Sequence, residues 1–492
     1  MNSSVVPFDT LDQLFINGQW TAGQSHSSNI DTDPFNGQTL ATIQHATLEQ
    51  LDAAYQAAVQ AQKSWGQTLP QERAELLARV AQVLDMHRET IIDWIIRESG
   101  STRLKATIEV MSAKGIVLEA ASFPARMQGE LLPSFFPGQS SRVYREPLGV
   151  IGIISPWNFP FHLSMRSIAP ALATGNTVVL KPASDTPVTG GTLLGAIFEA
   201  AGAPAGTINV VVGAGSEIGD AMVAHPIPQM ISFTGSTPVG QGIGKLATGG
   251  QHIKRVALEL GGNAPIVVLD DADIEDAAHG AVAGRFLHQG QICMSTNRAI
   301  VDAKVYDAFV AAVEQRVKAL KFGDPSLMEN VVGPIINAKQ RAAVQAKIEQ
   351  ALKDGARLVV GGAAQGNVLP PHVLADVDPQ WAIAKEETFG PVLPIIKARD
   401  EAHALELAND TEFGLSSSVY TRDLERGVRF ARGIHAGMTH VNNMSVGDQP
   451  NAPFGGERNS GLGRFNGRWI LEEFTRTHWV TVQEQGKAQY PL

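Results

Sequence analysis

The sequence predicts an α/β protein made of two successive α/β units and a small outlying β-sheet. Three observations carry that expectation. From about residue 148, short apolar runs (148–154, 177–180, 208–212 and 230–233) are each followed by a Gly, Pro or Ser turn and a helix-like segment. Strands spaced by about 20–30 residues suit βαβ crossovers and a parallel sheet. A second alternating region follows Gly261, with strand-like runs at 266–269, 299–301, 358–360, 392–396 and 417–420. Finally, residues 141–146 and 477–483 alternate polar and apolar like exposed strands and fit neither unit.

Taken in order, Thr47 and Gln50 form a capping-box pattern that opens a helix. Leu48, Leu51, Tyr55, Ala58 and Gln62 continue it at helical spacing. Residues 71–98 read as one long helix closed by Ser99 and Gly100. In the second unit Val305, Phe309, Val313, Val317 and Leu320 mark another helix. The two outlying strands are expected to pair as an oligomerisation arm, because open sheet edges invite partner chains. A hairpin confined to one subunit is the alternative.

The chain has 492 residues, enough for two or three domains. A formal charge of −10, without a basic run, argues against nucleic-acid binding. Residues 1–18 lack a basic region followed by an apolar core, so no signal peptide is expected. No apolar run reaches membrane-spanning length, so no membrane partner is expected. The single cysteine fits a reducing compartment, and the cytoplasm is the expected location.

That cysteine, Cys293, lies among Gly290, Gln291 and Ser295 rather than in a solid apolar run. Free cysteines are usually packing residues, but a thiol in a turn of small polar residues is also a candidate nucleophile. Glu259 sits in an apolar strand just before Gly261 and Gly262. A buried carboxylate is either salt-bridged or a general base whose pKa burial has raised. The two glycines favour the second reading, because they let another group approach the backbone closely. Asn158, in the turn Pro156-Trp157-Asn158-Phe159-Pro160, is a turn residue or a neutral donor for an oxyanion. Three segments suggest a dinucleotide. Gly213 to Gly219 resembles a Gly-rich fingerprint with one residue too many. Phe233, Gly235 and Ser236 end a strand and open a helix, whose free N–H groups suit phosphate. Lys181 stands at a strand's carboxyl end, where a ribose or its phosphate would lie.

Together these segments resemble the aldehyde dehydrogenase superfamily over nearly the whole chain. The matching motifs are 156–160, 233–236, 259–262, 290–293, 386–391, 453–456 and 460–461. The resemblance implies a Rossmann-like cofactor domain (1–127 and 148–259), an α/β catalytic domain (260–465) and a small β oligomerisation arm (128–147 and 466–492). It implies Cys293 as nucleophile, Glu259 as general base and Asn158 with the Cys293 N–H as oxyanion donors. It implies a cofactor site containing Ser155, Pro156, Trp157, Lys181, Ser184, Gly213, Gly219, Phe233, Gly235, Ser236 and Gly261, with Glu387 and Phe389 at the nicotinamide ribose. No metal is assigned. Many NAD-preferring members carry a glutamate where this chain has Ser184. A neutral residue there removes repulsion against a 2′-phosphate, so NADP use is expected alongside NAD. Residues 168–173, 181–187 and 455–464 look most like the members acting on benzaldehydes and vanillin. The expected substrate is therefore a small aromatic aldehyde, in a pocket including Phe159, Arg166, Phe286, Ile292 and Met294. Arg166 is read as paired with a surface acid, with contact to a phenolic or carboxylate substituent as the alternative. A homodimer or homotetramer is expected. A semialdehyde dehydrogenase and a non-catalytic dinucleotide-binding scaffold are the competing readings.

Overall fold

The structure is a computed structural model that describes residues 11–488 and 490. The expectations for residues 1–10, 489, 491 and 492, including the ends of the first unit and of the arm, lie outside the described residues.

The first sheet has eight strands. Its five central strands are parallel and run in the spatial order Ile208–Val210, Thr177–Lys181, Val150–Ile154, Met230–Thr234, Arg255–Glu259. All but the last are buried almost throughout, which is why they read as near-continuous apolar runs. Among these five strands the chain starts at the centre, winds outward through two strands, then returns to the other side. The order therefore reverses between Val150–Ile154 and Met230–Thr234. In such a sheet the crevice beyond the carboxyl ends at this reversal is the ligand site.

The second sheet has seven strands, in the order Arg357–Val360, His372–Ala375, Val392–Ala398, Thr296–Asp302, Ala264–Val268, Ser418–Tyr420, His440–Val441. All pairs are parallel except the first. Its two faces carry separate cores, one around Phe286 and Phe309, the other around Ile335 and Phe430. Residues 260–263 lead from the last parallel strand of one sheet to a central strand of the other.

The Thr47 capping box is present, with its side chain accepting from the Gln50 N–H. The long helix expected over 71–98 is two helices, Pro70–Met86 and Arg88–Ser99, broken at His87 with φ −108° and ψ 16°. Gly100 ends the second in the left-handed region, φ 65°.

The outlying strands pair with each other. Thr475–Gln483 runs antiparallel to Gln139–Pro147 in unbroken register, and Glu130–Leu132 adds a third strand. Two expected boundaries shift. Gly461–Leu462 joins the first sheet beside Arg255–Glu259. Phe454, Phe465, Ile470, Leu471 and Phe474 are buried in that sheet's core, so this stretch packs with the first unit and the outlying strand begins at Thr475. The reason is apolar burial: these aromatic and aliphatic side chains find their partners there. Among the described residues, no helix is long and apolar enough to cross a membrane.

Candidate active site

A cavity of about 510 Å³ opens at the reversal point. The turn after Val150–Ile154 supplies Ser155, Pro156, Trp157 and Asn158; the end of Met230–Thr234 supplies Phe233, Thr234, Gly235 and Ser236. Gly261, Cys293, Glu387 and Phe389 come from the second unit and its connection. Segments separated by more than two hundred residues thus share one wall.

Helix Thr237–Gly249 begins at this cavity. Ser236 is its N-cap and makes no side-chain cap hydrogen bond, so the first turn's N–H groups have no side-chain acceptor. Such an end suits a phosphate. Glu387 stands on the same wall. Its Oε1 accepts from the Gly262 N–H at 2.8 Å, and burial pushes its carboxyl up to about 7. Phe389 meets Trp157 edge-on at 5.3 Å. It holds φ +50°, a strained value for a residue with a side chain. Its carbonyl accepts from Gln340 Nε2, and the preceding Thr388 N–H donates to Asn297.

Cys293 is half-buried on the cavity wall. It follows three consecutive left-handed residues, His288, Gln289 and Gly290 (φ 49°, 56° and 72°). A Cβ on Gly290 would lie 2.3 Å from the Gly390 carbonyl. The turn is pinned by Gln289 Nε2 donating to the Gly100 and Pro334 carbonyls, and by the Ile336 N–H donating to Gln291 Oε1. Burial, with the charges of Glu259 and Glu387, pushes the thiol up to about 12 despite opposing Arg166. The Asn158 amide donates one hydrogen to the Gln291 carbonyl at 2.9 Å.

The double glycine has a direct steric purpose. A Cβ on Gly262 would lie 2.2 Å from the Cys293 carbonyl, and one on Gly261 2.9 Å from Glu387 Oε2. Only a bare backbone lets these two segments close on the strand that carries Glu259.

Glu259 is 1% exposed and its two oxygens make no hydrogen bond. It is not on the cavity wall. Its carboxylate faces Arg166, Nη2 to Oε2 3.9 Å, and burial raises it to about 8 against that guanidinium's pull. This corrects the expected surface pairing of Arg166. Arg166 is almost fully buried, 4.2 Å from the Phe454 ring centroid and 4.8 Å from that of Phe465, with Nη1 3.8 Å from Asp448. Asp448 also accepts from Asn466 and contacts His162, and it borders a second hollow of about 230 Å³ with Met438, His440, Met444 and Phe454.

Other expected positions lie off the cavity. Phe286 is fully buried in a core of the second unit, because its helix turns that face toward the sheet. Ile292 and Met294 flank the thiol but pack into the first core. Phe159 is half-buried against His288. Gly213 and Gly219 belong to a wide turn beyond the edgemost of the five parallel strands, and Gly213 leaves room for Ile218 rather than for a phosphate. Lys181 is nearly buried, donates to the Pro182 carbonyl, and burial lowers it to about 8. Ser184 is exposed, and Asp185 is held by Asn337. Neither Lys181 nor Ser184 lines the cavity; Ala183 does. Sequence reading missed Gln340, Ala343 and Lys347, one face of helix Ala338–Asp354. Their 3- and 4-residue spacing was visible, but nothing in it marks a ligand face.

The aldehyde dehydrogenase family profile matches residues 20–480. The chain is 53% identical over 483 residues to a vanillin dehydrogenase of Corynebacterium glutamicum, covering 98% of this chain and 100% of that one. The crystal structure of an NAD-dependent benzaldehyde dehydrogenase from Corynebacterium glutamicum superposes with a TM-score of 0.90 at 49% identity, covering 98% and 99% of the two chains. A salicylaldehyde dehydrogenase from Pseudomonas putida G7, complexed with salicylaldehyde, gives 0.94 at 38% identity, with the same coverage. With a match of this length joined to the cavity just described, the chain belongs to the aldehyde dehydrogenase family.

Proposed function

We propose that this chain oxidises an aromatic aldehyde of the benzaldehyde or vanillin type to its carboxylic acid, using NAD or NADP. The observation that carries the reading is the shared cavity wall: a thiol and a primary amide beside an uncapped helix start and the half-buried carboxylate of Glu387. The Ser236 turn fits a pyrophosphate and Glu387 fits ribose hydroxyls. When bound, the nicotinamide supplies the hydride acceptor that takes the adduct on Cys293 to the oxidation level of an acid.

Cys293 passes its thiol proton through water to solvent, and its sulfur adds to the aldehyde carbon, whose oxygen takes the negative charge. Asn158 Nδ2 has one hydrogen left for the oxyanion, beside the Cys293 N–H. After oxidation the acyl group is held as a thioester. Glu259 takes a proton from water, whose oxygen adds to that carbonyl; the C–S bond breaks and the thiol is restored. Because Glu259 lies off the cavity wall, this step requires a side-chain rotation or one further water between them.

Support for an aromatic substrate comes from the relatives' substrates and from the Met438, Met444 and Phe454 lining of the second hollow. An aliphatic acid-aldehyde is disfavoured, because Arg166 already faces two carboxylates. Support for NADP is the absence of a carboxylate at Ser184, with Asp185 tied to Asn337. For a homodimer or homotetramer, support is the exposed Leu131, Phe135 and Trp479 of the outlying sheet. The single free cysteine fits a cytoplasmic setting.

Steady-state kinetics on benzaldehyde, vanillin, a short aliphatic aldehyde and succinic semialdehyde, with both cofactors, test this. The aromatic substrates should lead by at least about tenfold in kcat/KM, and NAD should exceed NADP by less than about a hundredfold. Cys293→Ala should bind dinucleotide and make no acid. Better turnover of the aliphatic aldehydes sinks the substrate assignment; acid formation by Cys293→Ala sinks the mechanism.

A further inference from the structure

Lys105 and Glu109 take no part in the chemistry above, yet both are fully buried beside it. They lie one turn apart on helix Arg103–Ala121, Nζ to Oε2 2.5 Å. A buried ion pair is weak as a source of stability, because desolvating two charges offsets their attraction. The bonds of this pair converge on one loop. Lys105 Nζ donates to the Asn158 carbonyl at 2.6 Å and sits 4.0 Å from the Phe159 ring centroid. Glu109 Oε1 accepts from the N–H groups of Phe161 (2.9 Å) and His162 (3.2 Å). These open helix Pro160–Ala173, which has no side-chain cap of its own. A carboxylate there satisfies orphan donors and suits the helix dipole.

The grip extends to the nucleophile. The Phe159 ring meets His288 edge-on at 5.6 Å, and His288 opens the strained turn before Cys293. The Asn158 side chain ties to the Gln291 carbonyl, two residues before the sulfur. An apolar replacement of the pair would leave the Asn158 carbonyl and two helix N–H groups without these partners.

We propose that Lys105 and Glu109 are positioning residues that fix the Asn158 amide relative to the Cys293 thiol. This rests on the reading of Asn158 as oxyanion donor. The pair holds the loop by its backbone on either side of Phe159, leaving the amide's second N–H aimed by geometry rather than by chance.

The test is a double-mutant cycle on full-length protein with benzaldehyde and NAD. Asn158→Ala should lower kcat by about 10²–10³. Lys105→Met should lower kcat by about 10- to 100-fold, with both KM values within about threefold of wild type. In the Asn158→Ala background, Lys105→Met should add less than about threefold, because its target is gone. Full multiplication of the two losses overturns the positioning role while leaving the oxyanion reading intact. Wild-type turnover by Asn158→Ala overturns that reading, and this inference with it. Should Lys105→Met not fold, the neutral pair Lys105→Met/Glu109→Gln takes its place, with dinucleotide binding followed by fluorescence. A pair variant that turns over normally, or that loses dinucleotide binding, assigns the pair an architectural role and overturns the proposal.

Discussion

Replacing Arg166 with methionine should move acid formation to more alkaline pH. The guanidinium is the nearest opposite charge to Glu259, at 3.9 Å, and the carboxylate makes no hydrogen bond that would substitute for it. At an effective dielectric of about 20, that separation is worth about 4 kcal/mol, or about three pKa units. Relaxation of the surroundings brings the expected shift to between about one and three units above the present value of about 8. A general base works in its ionised form, so the usable fraction at neutral pH falls about tenfold for each unit. Acid formation at pH 7.5 should then fall between about 10- and 1,000-fold and recover as pH rises toward 10. The methionine fills part of the space beside the Phe454 and Phe465 rings. The assay is rapid mixing with saturating benzaldehyde and dinucleotide between pH 6.5 and 10. The first turnover of reduced nicotinamide should persist as a burst, slowed less than the later, hydrolytic phase, because Arg166 also holds the Cys293 thiol down but ranks lower among the influences on it than on Glu259. A loss that is equal at every pH, or a profile that overlays the wild type, refutes the coupling of Arg166 to Glu259.

Gly262→Ala should abolish turnover and lower thermal stability, because its methyl would meet the Cys293 carbonyl at 2.2 Å, where backbone has no room to give; an active, stable variant removes the close-approach argument. A third prediction concerns Asp31 and Glu98, two buried carboxyls. Burial raises Asp31 to about 7, and burial together with the Asp31 charge raises Glu98 well above the usual range. A folded-state value above the unfolded one means that the stabilising contribution of Asp31 is present at acid pH and lost as pH rises through about 7. Asp31→Asn should therefore show a smaller fall in Tm between pH 5.5 and 8.5 than the wild type; parallel curves would contradict this.

The alternation of short apolar runs with helical segments was enough to read two consecutive α/β units, because parallel strands buried on both faces leave an apolar signature that survives without coordinates. The same punctuation placed Asn158 and Ser236 at the carboxyl ends of neighbouring strands, and the turn around Cys293 marked the thiol as open on one side. The break at His87 was not legible: residues 71–98 keep helical periodicity straight through it.

What the sequence by itself determined was therefore the local part: the alternation of strands, turns and helices, and the turns that carry Asn158, Ser236 and Cys293. Only the tertiary structure decided direction and company. It turned Glu259 toward Arg166, sent Phe286 into the core, brought one face of helix Ala338–Asp354 to the cavity and set Lys105 beneath the Asn158 carbonyl. Those outcomes depend on which distant elements pack together, and a side chain's orientation between two packed elements is fixed by the partner surface rather than by its neighbours along the chain.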